Sequence, residues 1–152
     1  MKKGILILMV LSFSLLLVAC GSTEKTSSDE EKTVEKVNFK KSDAGSGKFW
    51  IDTASGTSEN GNVPVMFYDS DLKVTQLGIN TSDFNAEKQT YIYVDGYLND
   101  KFQLGTTQTS LNLKDDTLKI GKHDVVAVQY ENNDPNTKVA EVIKSAQYEV
   151  KK

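Results

Sequence analysis

His123, the only histidine, is the first residue of this chain whose type could perform chemistry. Nucleophilic catalysis needs a Ser, Thr or Cys beside a base, with a third group that orients the base. The chain has no Gly-x-Ser-x-Gly elbow to supply such a nucleophile. His123 directly precedes the apolar stretch 124–130, which has the pattern of a core strand. We therefore expect its ring to pack against the fold and to bond a backbone group.

Paired carboxylates are the second chemistry to consider, because two of them can hydrolyse a glycosidic bond. The closest pairs are Asp69/Asp71 and Asp115/Asp116, both in turn-like stretches where Asp bonds its own backbone. Asp69-Ser70-Asp71 and Asn132-Asn133-Asp134 also offer the hard oxygen ligands that Ca²⁺ prefers. Neither stretch continues into an EF-hand loop. We predict no catalytic residue, no metal site and no cofactor.

Cys20, the only cysteine, follows a segment with the composition of a secretory signal. Lys2 and Lys3 give a positive start, and residues 4–19 carry no charge. This run is shorter than the roughly 20 residues that a spanning helix needs, but it fits the apolar region of a signal peptide. The polar residues 21–24 end the run early, which disfavours the alternative of an uncleaved anchor helix.

The residues Leu17-Val18-Ala19-Cys20 resemble the lipobox of bacterial lipoproteins. The resemblance implies a diacylglycerol thioether on Cys20, cleavage before it, and a chain anchored by lipid on the extracytoplasmic face of the cell membrane. An ordinary cysteine beside a cleavable signal is the remaining alternative. If the lipid occupies the thiol, the mature protein has no free thiol and no disulfide, so its fold depends on its core.

The charge of the chain limits its partners. All 18 basic residues are Lys, which disfavours the bidentate recognition of phosphate or carboxylate that Arg provides. The net charge is −3, and it becomes −5 when Lys2 and Lys3 leave with the signal. A mildly acidic surface does not attract nucleic acid, so we expect no nucleic-acid partner.

Composition divides the chain into three parts. Residues 1–19 are the predicted lipoprotein signal peptide. Residues 20–47 are the predicted lipidated N-terminus and flexible linker, because they are rich in Ser, Thr, Glu, Lys and Gly and hold few large apolar residues. Residues 48–152 are the predicted folded domain, in which apolar residues recur with the period of two that is typical of strands.

Seven or so short strands are predicted in this domain. The segments are 48–52, 63–68, 73–79, the two arms of 90–104, 109–113 and 124–130. Asp95-Gly96 between the arms of 90–104 favours a tight hairpin turn. Leu111 and Leu113 should point inward. Val126, Val128 and Tyr130 should share one face.

Three aromatic positions and the C-terminal segment need separate predictions. Trp50 and Phe67 are expected in the core, and Tyr97 beside the hairpin is the better candidate for an exposed contact. Segment 138–150 has both a helical and a strand interpretation, and we favour a final strand because the sheet would otherwise end in an unpaired edge. Together these elements predict an all-β fold, an antiparallel β-sandwich.

The C-terminal stretch also resembles a known family. Residues 93–96 (YVDG), 118–125 (LKIGKHDV), 129–130 (QY) and 146–150 (AQYEV) are similar to the Ig-like domain of small, uncharacterised lipoproteins of low-GC Gram-positive bacteria. The resemblance covers about residues 88–151 and implies an Ig-like sandwich. His123 then stands where antibody-type domains carry their corner tyrosine, which supports a structural role for its ring.

We expect a membrane-anchored surface lipoprotein whose Ig-like domain is a non-enzymatic binding or spacer module at the cell envelope. Its partners would be the membrane, through the lipid on Cys20, and an envelope protein or a cell-wall glycan. We expect a monomer. Two alternatives remain, an exclusion or immunity lipoprotein of a mobile element and an accessory of a cell-envelope hydrolase.

Overall fold

The structure is a computed structural model that describes residues 35–39, 43–72 and 74–152. These residues belong to one compact unit, Thr33–Lys152. The predicted signal peptide, Cys20 and the linker up to residue 34 lie outside the described residues. Within the described ranges, no helix has the length and hydrophobicity needed to span a bilayer.

Ten strands and three short 3-10 helices form the described part of the chain. The strands are β1 (Asp43–Ala44), β2 (Lys48–Thr53), β3 (Gly56–Thr57), β4 (Val65–Phe67), β5 (Thr75–Ser82), β6 (Gln89–Val94), β7 (Tyr97–Gln103), β8 (Thr107–Leu113), β9 (Gly121–Tyr130) and β10 (Ala140–Lys151). The 3-10 helices are Glu59–Gly61, Asp115–Leu118 and Pro135–Thr137. The fold is all-β, and the C-terminal segment forms a strand, as predicted, although the strand begins at Ala140 and not at residue 138.

The strands form two sheets. One has the order β1-β10-β9-β6-β7, with β4 pairing parallel to the end of β10; the other has the order β3-β2-β5-β8. All other strand pairs are antiparallel. β1 and β4 cover two separate parts of the long strand β10, so its outer edge is partly paired.

This strand order is that of an Ig-like sandwich. β2, β5 and β8 correspond to strands A, B and E, while β10, β9, β6 and β7 correspond to G, F, C and C′. Seven of the strands have six residues or more, and the other three have two or three. The described residues thus form ten strands where seven or so were predicted, and the predicted segment 63–68 contains only the short strand β4.

The main core lies between the two sheets. It includes the fully buried Ile51 of β2, Leu111 of β8 and Tyr148 of β10, together with Leu113. Leu111 and Leu113 therefore point inward, as their alternation predicted. Inward and outward side chains alternate along these strands, so the core residues recur at every second position.

A second apolar cluster lies on the outer face of the larger sheet. Tyr91, Tyr93, Val126, Val128 and Tyr130 are all buried there, under Val37 and Phe39. Val126, Val128 and Tyr130 share a face, as predicted, but it is not the face between the sheets.

The folded part begins upstream of Lys48. Val37 donates its backbone N–H to the Gly96 carbonyl oxygen at 2.8 Å, and the Phe39 ring meets the Tyr93 ring edge-on with centroids 4.9 Å apart. Asp43 and Ala44 pair with β10. Residues 35–39 and 43–47 thus lie against the domain, although composition alone assigned them to the linker. Burying Val37 and Phe39 offsets the entropy cost of ordering this segment.

The two ends of the sandwich carry different loops. We call one of them the corner end; it holds the connections 68–74, 95–96 and 114–120. The opposite end holds the connections 83–88, 104–106 and 131–139. The Asp95-Gly96 turn has φ of 51° and 86°, the two positive values of a type I′ hairpin turn, as its sequence predicted.

Candidate functional site

The ring of His123 is held on three sides at the corner end. Its Nδ1 lies 2.7 Å from Oδ2 of Asp95, and its Nε2 lies 2.7 Å from the backbone oxygen of Lys119. The ring also stacks on Tyr148, with centroids 5.0 Å apart and an angle of 18° between the planes. Both polar neighbours of the ring, a carboxylate oxygen and a backbone carbonyl oxygen, are hydrogen-bond acceptors.

Tyr148 completes this corner from β10. Its hydroxyl donates to the backbone oxygen of Thr117 at 2.6 Å, so Tyr148 and His123 together hold the connection 114–120 against the sheet. Burial, and secondarily the nearby Asp95 carboxylate, raises the pKa of Tyr148. The expectation that His123 packs at the corner and bonds a backbone group is confirmed. Both nitrogens of the one candidate base are engaged by the fold.

The acidic pairs make local contacts in their loops. Oδ1 of Asp69 accepts the backbone N–H of Asp71 at 2.9 Å, which is an Asx turn. Asp116 forms an exposed ion pair with Lys119 at 2.8 Å. These contacts match the turn role that the sequence indicated.

The oxygens of residues 132–134, considered above as calcium ligands, also bond groups of the fold. Oδ1 of Asn133 accepts a hydrogen bond from the backbone N–H of Gln89 at 2.9 Å. Oδ1 of Asp134 accepts hydrogen bonds from the backbone N–H and the side-chain Nδ2 of Asn136. Among the described residues, no group of three or more His, Cys, Asp or Glu side chains is placed to hold a metal ion.

A polar surface on the smaller sheet is the best candidate for recognition. The residues of β2, β5 and β8 that alternate with the core positions share the outer face, and the strand register places them in rows. We call these residues the amide face: Trp50, Asp52, Gln76, Gly78, Asn80, Gln108, Ser110 and Asn112. Trp50 stands opposite Asn80, which stands opposite Gln108. All of its side chains except Trp50 are polar.

Hydrogen bonds fix several side chains of the amide face. Nδ2 of Asn80 donates to Oδ2 of Asp52 at 2.7 Å, and Asn80 itself is buried, with 6% of its surface exposed. Nε2 of Gln76 donates to Oδ1 of Asn112 at 2.9 Å. These side chains are therefore oriented before any ligand arrives, which lowers the entropy cost of binding.

Gly78 lies in the middle of the amide face, opposite Asp52 and Ser110. A Cβ at Gly78 would lie 3.1 Å from the Cβ of Asp52. Asp52 therefore packs closely over Gly78, and a larger residue at this position would crowd it.

An open groove adjoins Trp50 at the edge of the smaller sheet. Among the described residues, its lining includes the amide side chains Asn60, Asn62 and Gln147, with Glu59 beside them. The polar character of the amide face therefore continues past Trp50 and around the edge of β2.

Two aromatic predictions were wrong. Phe67 is not in the core but 66% exposed, because the inward residue of the short strand β4 is Met66. Trp50 belongs to neither apolar cluster and is half-buried on the outer face, because Phe49 and Ile51 are the inward residues of β2. Tyr97, the predicted exposed aromatic, is 46% exposed.

The amide face was not predicted from the sequence, although a signal for it exists. Gln76 and Asn80 flank Gly78 at every second position, Gln108, Ser110 and Asn112 have the same spacing, and so do Trp50 and Asp52. This pattern becomes a surface only when the strand register is known, because β2, β5 and β8 are far apart in the chain. Comparisons with protein-family models, curated proteins and solved structures give no match for this chain.

Proposed function

We propose that this chain is a membrane-anchored surface lipoprotein whose Ig-like domain is a non-enzymatic binding module at the cell envelope. The lipobox-like residues 17–20 support the anchor. The observation that carries the binding role is the amide face, an outer sheet surface whose polar side chains are held in place around one half-buried Trp.

A cell-wall glycan is the ligand class that fits the amide face best. Amide and carboxylate groups such as Asn80 and Asp52 offer donors and acceptors that match neighbouring sugar hydroxyls. The Trp50 ring adds an aromatic surface for the apolar C–H face of a pyranose, and its indole N–H can donate to a hydroxyl. An all-apolar ligand would leave these polar groups without partners, which is costly.

A binding role is also consistent with the state of His123. Both of its ring nitrogens already face acceptors of the fold, and it is 6% exposed. A general base must reach the proton that it removes, and this ring would have to leave its corner to do so.

Co-sedimentation with purified, insoluble cell wall tests the glycan proposal. The full-length protein is extracted from its host membrane in detergent, mixed with the cell wall and centrifuged. Trp50→Ala should lower the affinity about tenfold, which corresponds to about 1.4 kcal/mol of lost contact. Phe67→Ala is the matched control, because Phe67 is an exposed aromatic residue on the other sheet. Equal binding of Trp50→Ala and the parent protein would contradict the proposal.

The lipid anchor requires its own measurement. Growth with a labelled fatty acid should label the protein, and Cys20→Ala should remove the label. Intact mass should place the diacylglycerol on an N-terminal Cys20. A chain that keeps residues 1–19 and carries no lipid would overturn the anchor and leave the glycan result unaffected.

A further inference from the structure

Exposed apolar side chains concentrate at one end of the sandwich. In the described part of the chain, seven large apolar side chains are exposed, and six of them lie at the corner end. These six are Phe67, Leu72, Val74, Tyr97, Leu98 and Ile120. The seventh, Val139, lies in the loop 131–139 at the opposite end. Phe67, Val74 and Ile120 have two thirds of their surface in water (66%, 65% and 65%).

These side chains occupy three separate segments that meet at the corner end. Phe67, Leu72 and Val74 belong to the end of β4 and the connection 68–74. Ile120 belongs to the connection 114–120, and Tyr97 and Leu98 to the start of β7. β4 and β9 flank the end of β10, since Phe67 pairs with Lys151 and Gly121 pairs with Val150. Fold alone does not require apolar residues at loop positions, where polar residues cost less.

The chain enters the domain at the same end. Val37 bonds Gly96 in the hairpin turn, and the Nζ of Lys36 lies 5.5 Å from the centre of the Tyr97 ring. Glu35, the first described residue, therefore lies at the corner end. Fifteen residues separate it from Cys20, a span of at most about 50 Å when fully extended. A lipid on Cys20 would thus hold the corner end close to the bilayer.

The charges at the corner end are mixed. Lys119 and Lys122 adjoin Ile120, while Asp69 and Asp71 adjoin Leu72. This mixture gives no net attraction to an anionic surface, so an interaction there must come from the apolar side chains. Protruding apolar loops suit a fluid lipid interface, which adapts to their shape without a complementary pocket.

We propose that the corner end docks into the lipid–water interface of the membrane that carries the anchor, with Phe67, Val74 and Ile120 entering the boundary of the acyl chains. This inference rests on the proposed lipid anchor. Docking would give the domain a defined orientation on the membrane, with the opposite end of the sandwich directed away from the bilayer.

Fluorescence quenching by brominated lipids tests the proposal. The reporter is full-length protein with Trp50→Phe, to remove the native fluorophore, and Phe67→Trp at an exposed site that tolerates the larger ring. The control carries Trp50→Phe and Val139→Trp at the opposite end. Both are placed in phosphatidylcholine vesicles with and without bromine on the acyl chains. Because interfacial side chains lie about 5–10 Å below the headgroup boundary, bromine should reduce the Phe67→Trp emission about twofold and leave Val139→Trp unchanged.

Three results would overturn the proposal. Equal quenching of both reporters would indicate unspecific adsorption. A blue shift of Phe67→Trp emission that rises with protein concentration, independent of bromine, would show that a second copy covers the corner end. A blue shift in native membranes with no quenching in pure lipid would assign the corner end to an envelope protein.

The failure of the anchor and the failure of docking remain distinguishable. Intact mass reports the lipid on Cys20, whereas quenching reports the position of the corner end. Both reporters are also made with Cys20→Ala, which retains the apolar segment 4–19. Quenching of a reporter that keeps Cys20 but carries no lipid by intact mass would sustain docking and overturn the anchor. Quenching that persists in Cys20→Ala would show that docking does not require the lipid. Lipid on Cys20 without quenching would sustain the anchor and overturn docking.

Discussion

The carboxylate of Asp95 ties the hairpin turn to His123 and Asp124 of β9. Oδ2 of Asp95 lies 2.7 Å from Nδ1 of His123, and its Oδ1 accepts the backbone N–H of Asp124 at 2.9 Å. Asp95 is the first residue of the hairpin turn, whereas His123 and Asp124 are in β9, so one side chain ties the turn to the neighbouring strand. His123 extends this link to Lys119 and thereby to the connection from β8.

We expect His123→Ala to lower the free energy of unfolding by about 2–4 kcal/mol, because it removes a stacked ring and leaves two acceptors without a donor. Urea unfolding of the full-length protein, with fluorescence of Trp50, measures this. His123→Tyr is the informative comparison, since a tyrosine hydroxyl could bond the backbone as in antibody-type corners. A loss below about 0.5 kcal/mol for the alanine variant, the size expected of an ordinary surface substitution, would show that the corner is not structural.

The raised pKa of Tyr148 predicts that the free energy of unfolding falls at alkaline pH. Its pKa in the folded state is raised from the ordinary value of 10.0, chiefly by burial. The folded state therefore holds a proton that the unfolded state releases above pH 10, so this contribution to stability is complete below pH 10 and is lost as the pH rises further. The free energy of unfolding should fall steeply between pH 10 and pH 11, by up to about 1.4 kcal/mol for each such group.

Phenylalanine substitution tests this attribution. Tyr148→Phe loses the bond to Thr117, worth about 1 kcal/mol at neutral pH, but its stability should decline less above pH 10. The exposed Tyr97→Phe is the matched control and should follow the parent protein at every pH. Tyr91, Tyr93 and Tyr130, whose pKa values are also raised by burial, should contribute to the decline that remains in Tyr148→Phe. Identical slopes for Tyr148→Phe and the parent protein would contradict the assignment.

The buried face of a strand could be predicted where apolar and polar residues alternate along it. In β8, Leu111 and Leu113 alternate with polar residues, so only one face can be buried. In β9 the residues 125–128 are all apolar, and alternation cannot distinguish the face between the sheets from the outer face. Phe67 was expected in the core, but it alternates with the inward Met66 in β4 and therefore points to the solvent.

The arrangements that involve distant segments could not be predicted. The docking of Phe39 on Tyr93 joins residues more than 50 positions apart, and no local pattern in 35–39 specifies it. The amide face depends on the pairing of β2 with β5 and of β5 with β8, which only the register reveals. The His123 corner was predictable because the position of a residue at a strand start is a local feature.

A glycine pair offers a direct test of how the N-terminal segment docks. Gly96 and Gly61 have φ of 86° and 82°, so the left-handed backbone destabilises an alanine variant by a similar free energy at either position. At Gly96 the new Cβ would also lie 2.5 Å from the backbone oxygen of Val37, whereas at Gly61 it would meet nothing within 4 Å. Gly61→Ala should cost about 1–2 kcal/mol. Gly96→Ala should cost about 1–3 kcal/mol more, because residues 35–39 must move. Equal losses of unfolding free energy for the two variants would show that this contact is not tight.

Phe39 tests whether the outer cluster contributes to the stability of the domain. Its ring packs edge-on against Tyr93 and covers a cluster of five buried residues on the outer face of the larger sheet. Phe39→Ala should lower the free energy of unfolding by about 1–3 kcal/mol, since it loses an aromatic pair and exposes part of that cluster to water. It should also expose Tyr93 and Tyr130, which near-ultraviolet circular dichroism detects. Phe67→Ala, at an aromatic side chain that is already 66% exposed, is the matched control and should leave stability nearly unchanged. If Phe39→Ala and Phe67→Ala unfold at the same urea concentration, residues 35–39 act as part of the linker and not of the folded domain.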